Sequence, residues 1–154
     1  MSEPLRIRRA GRDDARWIRD CQLAMAHETE ALALEPEVAL RGVEHVFDEP
    51  RLGFYVAAER GAERVGCALV LSEWSDWRAR EVWWIHSVYV LPPVRGHGVF
   101  RALYQHVEDE ARAHGVPYLR LYVERGNQRA QRVYEQLGMS DRHYAMYEKP
   151  VSAG

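Results

Sequence analysis

The chain of 154 residues is 47% hydrophobic and 29% charged, a composition that fits one globular domain and excludes a disordered segment. Twenty-one basic against 23 acidic side chains leave a formal charge of −2, so a general electrostatic grip on nucleic acid or anionic lipid is excluded. No apolar run approaches the roughly 20 residues of a membrane span. The first residues lack the apolar stretch of a signal peptide, and Cys21 and Cys67 show no C-x-x-C spacing. The expectation is a cytoplasmic protein with two buried thiols and no nucleic-acid or membrane partner.

Leu5-Arg6-Ile7-Arg8 alternates apolar and charged residues and predicts a half-buried strand. Asp13-Asp14 puts carboxylates at a helix start, and Trp17, Ile18, Cys21, Ala24, Met25 and Glu28 follow at helical spacing, so a helix is expected over 13–30. Pro36 suits the first turn of a second helix that stops at Pro50. Segments 53–58 and 65–71 flank Arg60-Gly61-Ala62-Glu63 and predict a hairpin. Glu81 to Leu91 is rich in aromatic and β-branched residues and predicts a third central strand, closed by Pro92-Pro93. Phe100, Leu103, Val107 and Ala111 mark a helix over 97–114, with Gly115 just beyond its end. A strand over 118–123, a short helix ending at Gly138 and a last strand over 139–149 complete the chain. The order βααβββαβαβ implies an α/β (α+β) domain over 5–150 with a mixed, mostly antiparallel sheet.

Chemistry concentrates where the third central strand meets the next helix. Ser87-Val88-Tyr89-Val90-Leu91-Pro92-Pro93-Val94-Arg95-Gly96-His97-Gly98-Val99 runs from a strand through a turn with two glycines into an amphipathic helix. Glycines let a ligand approach the backbone, and the helix start offers N–H groups with partial positive charge. Arg95, Arg101 and His97 can add charge-assisted bonds. This is the chemistry of a phosphate site. Neither the Gly-Lys-Ser/Thr of a P-loop nor the G-x-G-x-x-G dinucleotide spacing is present. Downstream, Asn127, Ala130 and Tyr134 share one face of the short helix at i, i+3 and i+7.

These two segments together resemble the GNAT superfamily of acetyl-CoA-dependent N-acetyltransferases, and the resemblance extends over 5–150. Its diphosphate loop, R/Q-x-x-G-x-G/A, is matched by Arg95, Gly96, His97, Gly98 and Val99, but Phe100 stands at the last position. Phe100 lies on the Leu103/Val107 stripe and is expected to be a buried helix residue. The second segment, N-x-x-A-x-x-x-Y-x-x-x-G-F, is matched by Asn127, Ala130, Tyr134 and Gly138, with Met139 for the final Phe.

The resemblance implies a GNAT fold in which two splayed parallel strands, 81–91 and 118–123, hold the thioester. It implies that Val88, Tyr89, Val90, residues 95–101, Asn127 and Ala130 bind acetyl-CoA. A main-chain N–H near Val88-Tyr89-Val90 would polarise the thioester carbonyl, and Val88 and Val90 would pair with the pantetheine arm. Tyr134 would be the general acid for the departing thiolate, acting on a primary amine of a small molecule or peptide. The alternative is a CoA-binding regulatory or interaction module of the same fold without turnover.

The base stays open among Glu81, His86 and a water relay; Glu81 and His86 are five apart and so expected on opposite sides of the sheet. Glu28 and Glu30, at the end of the first long helix, fall where the family's acceptor pocket is often lined. Four of the five tryptophans fall between 74 and 84. Trp74, Asp76, Trp77 and Trp84 are acceptor-pocket candidates, because acidic groups beside aromatic faces suit a cation. A homodimer patch is the competing reading of the same cluster. Seven histidines form no H-x-x-x-H or H-E-x-x-H pattern, so no metal is expected.

Overall fold

Continuous buried apolar runs, 55–58 and 65–70, build the middle of the sheet. In the computed structural model, which describes residues 3–152, β1 (Leu5–Arg9), β2 (Gly53–Arg60), β3 (Glu63–Ser75) and β4 (Arg80–Val90) pair antiparallel in that order. β5 (Leu119–Arg120) then lies parallel to β4. A parallel neighbour needs a crossover, and α3 (Val99–Ala113) supplies it. The chain divides into two compact units, Met1–Leu121 and Tyr122–Gly154. The first contains the sheet, α1 (Ala15–Glu30), α2 (Pro36–Asp48) and α3; the second contains α4 (Gln128–Gln136).

Helices cover both faces of the sheet. On one face Ile18 and Cys21 of α1 and Leu40 and Val43 of α2 pack with Tyr55, Ala57, Cys67, Leu69 and Tyr89. On the other, Val99, Leu103 and Val107 of α3 are fully buried. Gly66 permits the close approach of α3: a Cβ there would stand 3.1 Å from Val99 Cγ1 and 3.0 Å from the Tyr89 carbonyl oxygen. Cys67 lies in this core, and a hydrogen bond with Cys21, together with burial, pushes its thiol up. Cys67 is therefore no nucleophile near neutral pH.

Three expectations are corrected. The helix expected from residue 13 begins as a 3₁₀ turn, Arg12–Asp14, because the Asp14 carboxylate folds back to accept the Gly11 N–H at 2.8 Å. Asp14, only 3% exposed, also accepts two bonds from Arg8, at 2.8 and 2.9 Å, and one from Arg64 at 2.8 Å. The strand expected over 139–149 is absent: the described residues there form neither helix nor strand. Ser140-Asp141-Arg142-His143 is a polar run without alternation, and Tyr144 and Tyr147 are exposed, so the stretch has no face to bury. The strand over 118–123 contracts to Leu119–Arg120.

Among the described residues no helix is long and apolar enough to cross a membrane. Nor do any three of their His, Cys, Asp or Glu side chains form a group that could hold a metal ion.

Candidate active site

The decisive local feature is an irregularity in β4. Leu69 pairs with Ser87 and Val70 with Ile85, so His86 is the extra residue of a β-bulge. A bulge bends its strand and increases the twist. β5 pairs only opposite Trp83 and Trp84, just before this bend, and among the described residues no ladder with β5 continues along Ile85 to Val90, which pair with β3 alone. Strict alternation also ends at His86, so the opposed orientation of Glu81 and His86 no longer follows from their spacing. Nothing in the sequence marks this bulge, since neither Gly nor Pro stands near it.

Beyond the bulge, the hydrogen-bond pattern fixes which amides face outward. Leu91 N–H donates to the Val65 carbonyl at 2.9 Å, and antiparallel pairs alternate, so Tyr89 and Leu91 face β3. Val88 and Val90 therefore turn their N–H and C=O groups to the open edge. The Val90 carbonyl there accepts Arg95 Nε at 2.9 Å.

The turn after β4 carries Gly96 and Gly98 at φ 80° and 84°, a backbone region that favours glycine. A Cβ at either position would meet no atom within 4 Å, so packing does not require glycine there; the backbone conformation does. Gly98 is the N-cap of α3, with no side-chain cap bond. Among the described residues, the N–H groups of Gly96, His97, Gly98, Val99 and Arg101 donate no backbone bond in the turn. Such a helix start can receive an anion. His97 folds over the turn, with Nδ1 3.0 Å from the Arg95 carbonyl oxygen. Phe100 is half-buried and lines an apolar crevice with Ile85, Val88 and Leu103, so its bulk faces the sheet. Gly98→Ala is expected to cost about 1 kcal/mol through its left-handed backbone. Thermal melting measures the effect.

In the second unit, Asn127 caps α4, its Oδ1 accepting the Ala130 N–H at 3.1 Å. Two of the motif residues thus engage each other. Tyr134 is half-buried on the same helix, and burial pushes its phenol above the ordinary value. A phenol so placed stays protonated at neutral pH.

An open strand edge, a glycine turn and an uncapped helix start match a known pattern. The model of the Acetyltransferase (GNAT) family matches residues 15–139. The chain belongs to the GNAT acetyltransferase family. A solved structure of a possible acetyltransferase from Clostridium difficile 630 is 34% identical, with a TM-score of 0.90 over 97% of this chain and 99% of that one. Mycothiol acetyltransferase of Streptomyces griseus is 35% identical over 132 residues, 84% of this chain and 40% of that protein. Thialysine N-epsilon-acetyltransferase of Bos taurus is 34% identical over 77 residues, 50% of this chain and 45% of that protein. The matched region thus covers less than half the length of each of these curated relatives.

Within the GNAT frame, the acceptor candidates fall in three places. Trp74, Asp76 and Trp77 lie at the tip of the β3–β4 hairpin, where Trp77 is 90% exposed. Glu81 stands beside them at the start of β4. The eight residue steps from Arg80 to Val88 put that tip roughly 25 Å from the open edge. Trp84 lies nearer, but its indole N–H donates to Glu73 Oε2 at 3.2 Å, and Glu73 also accepts Arg120 at 3.0 Å. Glu28 and Glu30 are exposed at the end of α1. Glu28, unlike the others, reaches the end of the open edge: it accepts Arg95 Nη2 and the Tyr89 hydroxyl, each at 2.8 Å. That pairing spans 67 residues, and no local pattern announces it.

Proposed function

We propose that this GNAT domain moves the acetyl group of acetyl-CoA to a primary amine of a small molecule or peptide by direct attack in a ternary complex. The observation that carries the reading is the open edge at Val88 and Val90 running directly into the Gly96–Gly98 turn and the start of α3. The residues fit the coenzyme: outward amides suit a pantetheine arm, and turn amides with Arg95 and Arg101 suit a diphosphate. When bound, acetyl-CoA supplies an activated thioester. The amine nitrogen forms its bond to the acetyl carbon as the carbon–sulfur bond breaks. An outward N–H at Val88 or Val90 stabilises the negative charge that develops on the carbonyl oxygen. Tyr134 donates its phenolic proton to the departing sulfur; the amine's excess proton leaves through His86 or through water.

His86 is favoured over Glu81 because it lies two residues before Val88, whereas Glu81 lies next to the hairpin turn. Calorimetric titration with CoA and acetyl-CoA, followed by a thiol-release assay over a panel of amines, tests the reading. Saturable binding with amine-dependent thiol release supports it. Binding without release for any amine favours the CoA-binding module, and absence of binding removes both.

A further inference from the structure

The proposed reaction gives no role to Glu28, yet its carboxylate holds two side chains of the coenzyme edge. Oε2 accepts Arg95 Nη2 and Oε1 accepts the Tyr89 hydroxyl, each at 2.8 Å. The same guanidinium gives its Nε to the Val90 carbonyl at 2.9 Å and stands 5.3 Å above the Tyr89 ring. One arginine therefore bridges the last carbonyl of the open edge and a carboxylate from α1. The Glu28 and Arg95 side chains are 37% and 45% exposed, so an anion from solvent can reach the pair. Arg95 also opens the turn that the proposed function assigns to a diphosphate. A guanidinium bonds a phosphate at least as well as a carboxylate. Glu28 takes an Nη2 hydrogen of Arg95, and its negative charge opposes a second anion on the same guanidinium.

We propose that Glu28 is an internal competitor for Arg95, which occupies the guanidinium in the free protein and surrenders it to the coenzyme's diphosphate. Glu28 then sets coenzyme affinity without touching the reacting atoms. The inference rests on the coenzyme reading above and makes a demand of opposite sign to ordinary loss of structure: removing a native contact must improve binding.

The test is calorimetric titration of CoA into the wild type, Glu28→Gln, Arg95→Gln and the double variant, with thermal melting of each. Glu28→Gln is expected to tighten CoA about fivefold to tenfold, the size of a modest coupling between sites. Arg95→Gln is expected to weaken CoA, and adding Glu28→Gln to it is expected to change nothing further. Tyr89→Phe removes the second anchor of the carboxylate, tightens CoA in the same direction, and carries the test if Glu28→Gln does not fold. Unchanged or weaker binding by Glu28→Gln, or equal tightening with and without Arg95, overturns the competition. A wild type that binds no CoA overturns the coenzyme reading as well, which separates the two failures.

Discussion

Tyr134→Phe is expected to lower kcat about 100-fold or more while the Kd of CoA stays within about twofold of the wild type. The substitution deletes a hydroxyl and keeps the ring, so the packing of α4 is retained. The expected loss has a plain chemical cause. A departing thiolate, whose thiol has a pKa of about 8.5, needs a proton, and a phenol near 10 is its natural donor. Burial pushes the Tyr134 phenol further up. The donor therefore stays protonated at neutral pH, and the wild-type rate profile has no falling limb from Tyr134 there. Steady-state kinetics beside calorimetric titration checks both halves. An unchanged kcat removes Tyr134 from the mechanism.

Asp14→Asn is expected to destabilise the fold by about 2 to 3 kcal/mol, with the loss concentrated above pH 4. Hydrogen bonding from Arg8, opposed by burial and helped by the Gly11 N–H and Arg64, holds the Asp14 carboxyl at about 2 in place of 3.8. At about 1.4 kcal/mol per unit, the difference is about 2 kcal/mol of stability. Because the folded-state value is the lower one, this contribution is complete above the unfolded value and lost as pH falls toward 2. Denaturant melts across pH 2 to 6 should show a steep acid loss in the wild type and a flatter one in Asp14→Asn. Equal slopes would mean that Arg8 and Arg64 do not hold the carboxylate charged.

The sequence made the strand–turn–helix unit at 81–114 legible because its signals are local. Aromatic and β-branched residues, two prolines, two glycines and a helical stripe follow one another within one segment. The helical stripe of Phe100, Leu103 and Val107 also told correctly which side of α3 is buried. Three things were not legible, each because it depends on partners distant in sequence. The Glu28–Arg95 pair joins the end of α1 to a turn beyond the whole central sheet. The bulge at His86 is visible only in the register against Leu69 and Val70. The tip tryptophans belong to a hairpin whose length, set by the pairing of Glu63–Ser75 with Arg80–Val90, carries them away from Val88. The strand expected over 139–149 failed for the converse reason. The polar run from Ser140 to His143 supplies no alternating face for a strand to bury.

The single unpaired residue in β4 separates two properties that seem inseparable in an enzyme. On either side of His86 the pairing with β3 is regular, and without that residue Ile85 and Ser87 would continue one unbroken ladder with every side chain on its present face. The core would keep its composition. What would go is the bend that stops β5 opposite Trp84. Loss of one codon is thus expected to remove the open edge at Val88 and Val90 while the architecture stands.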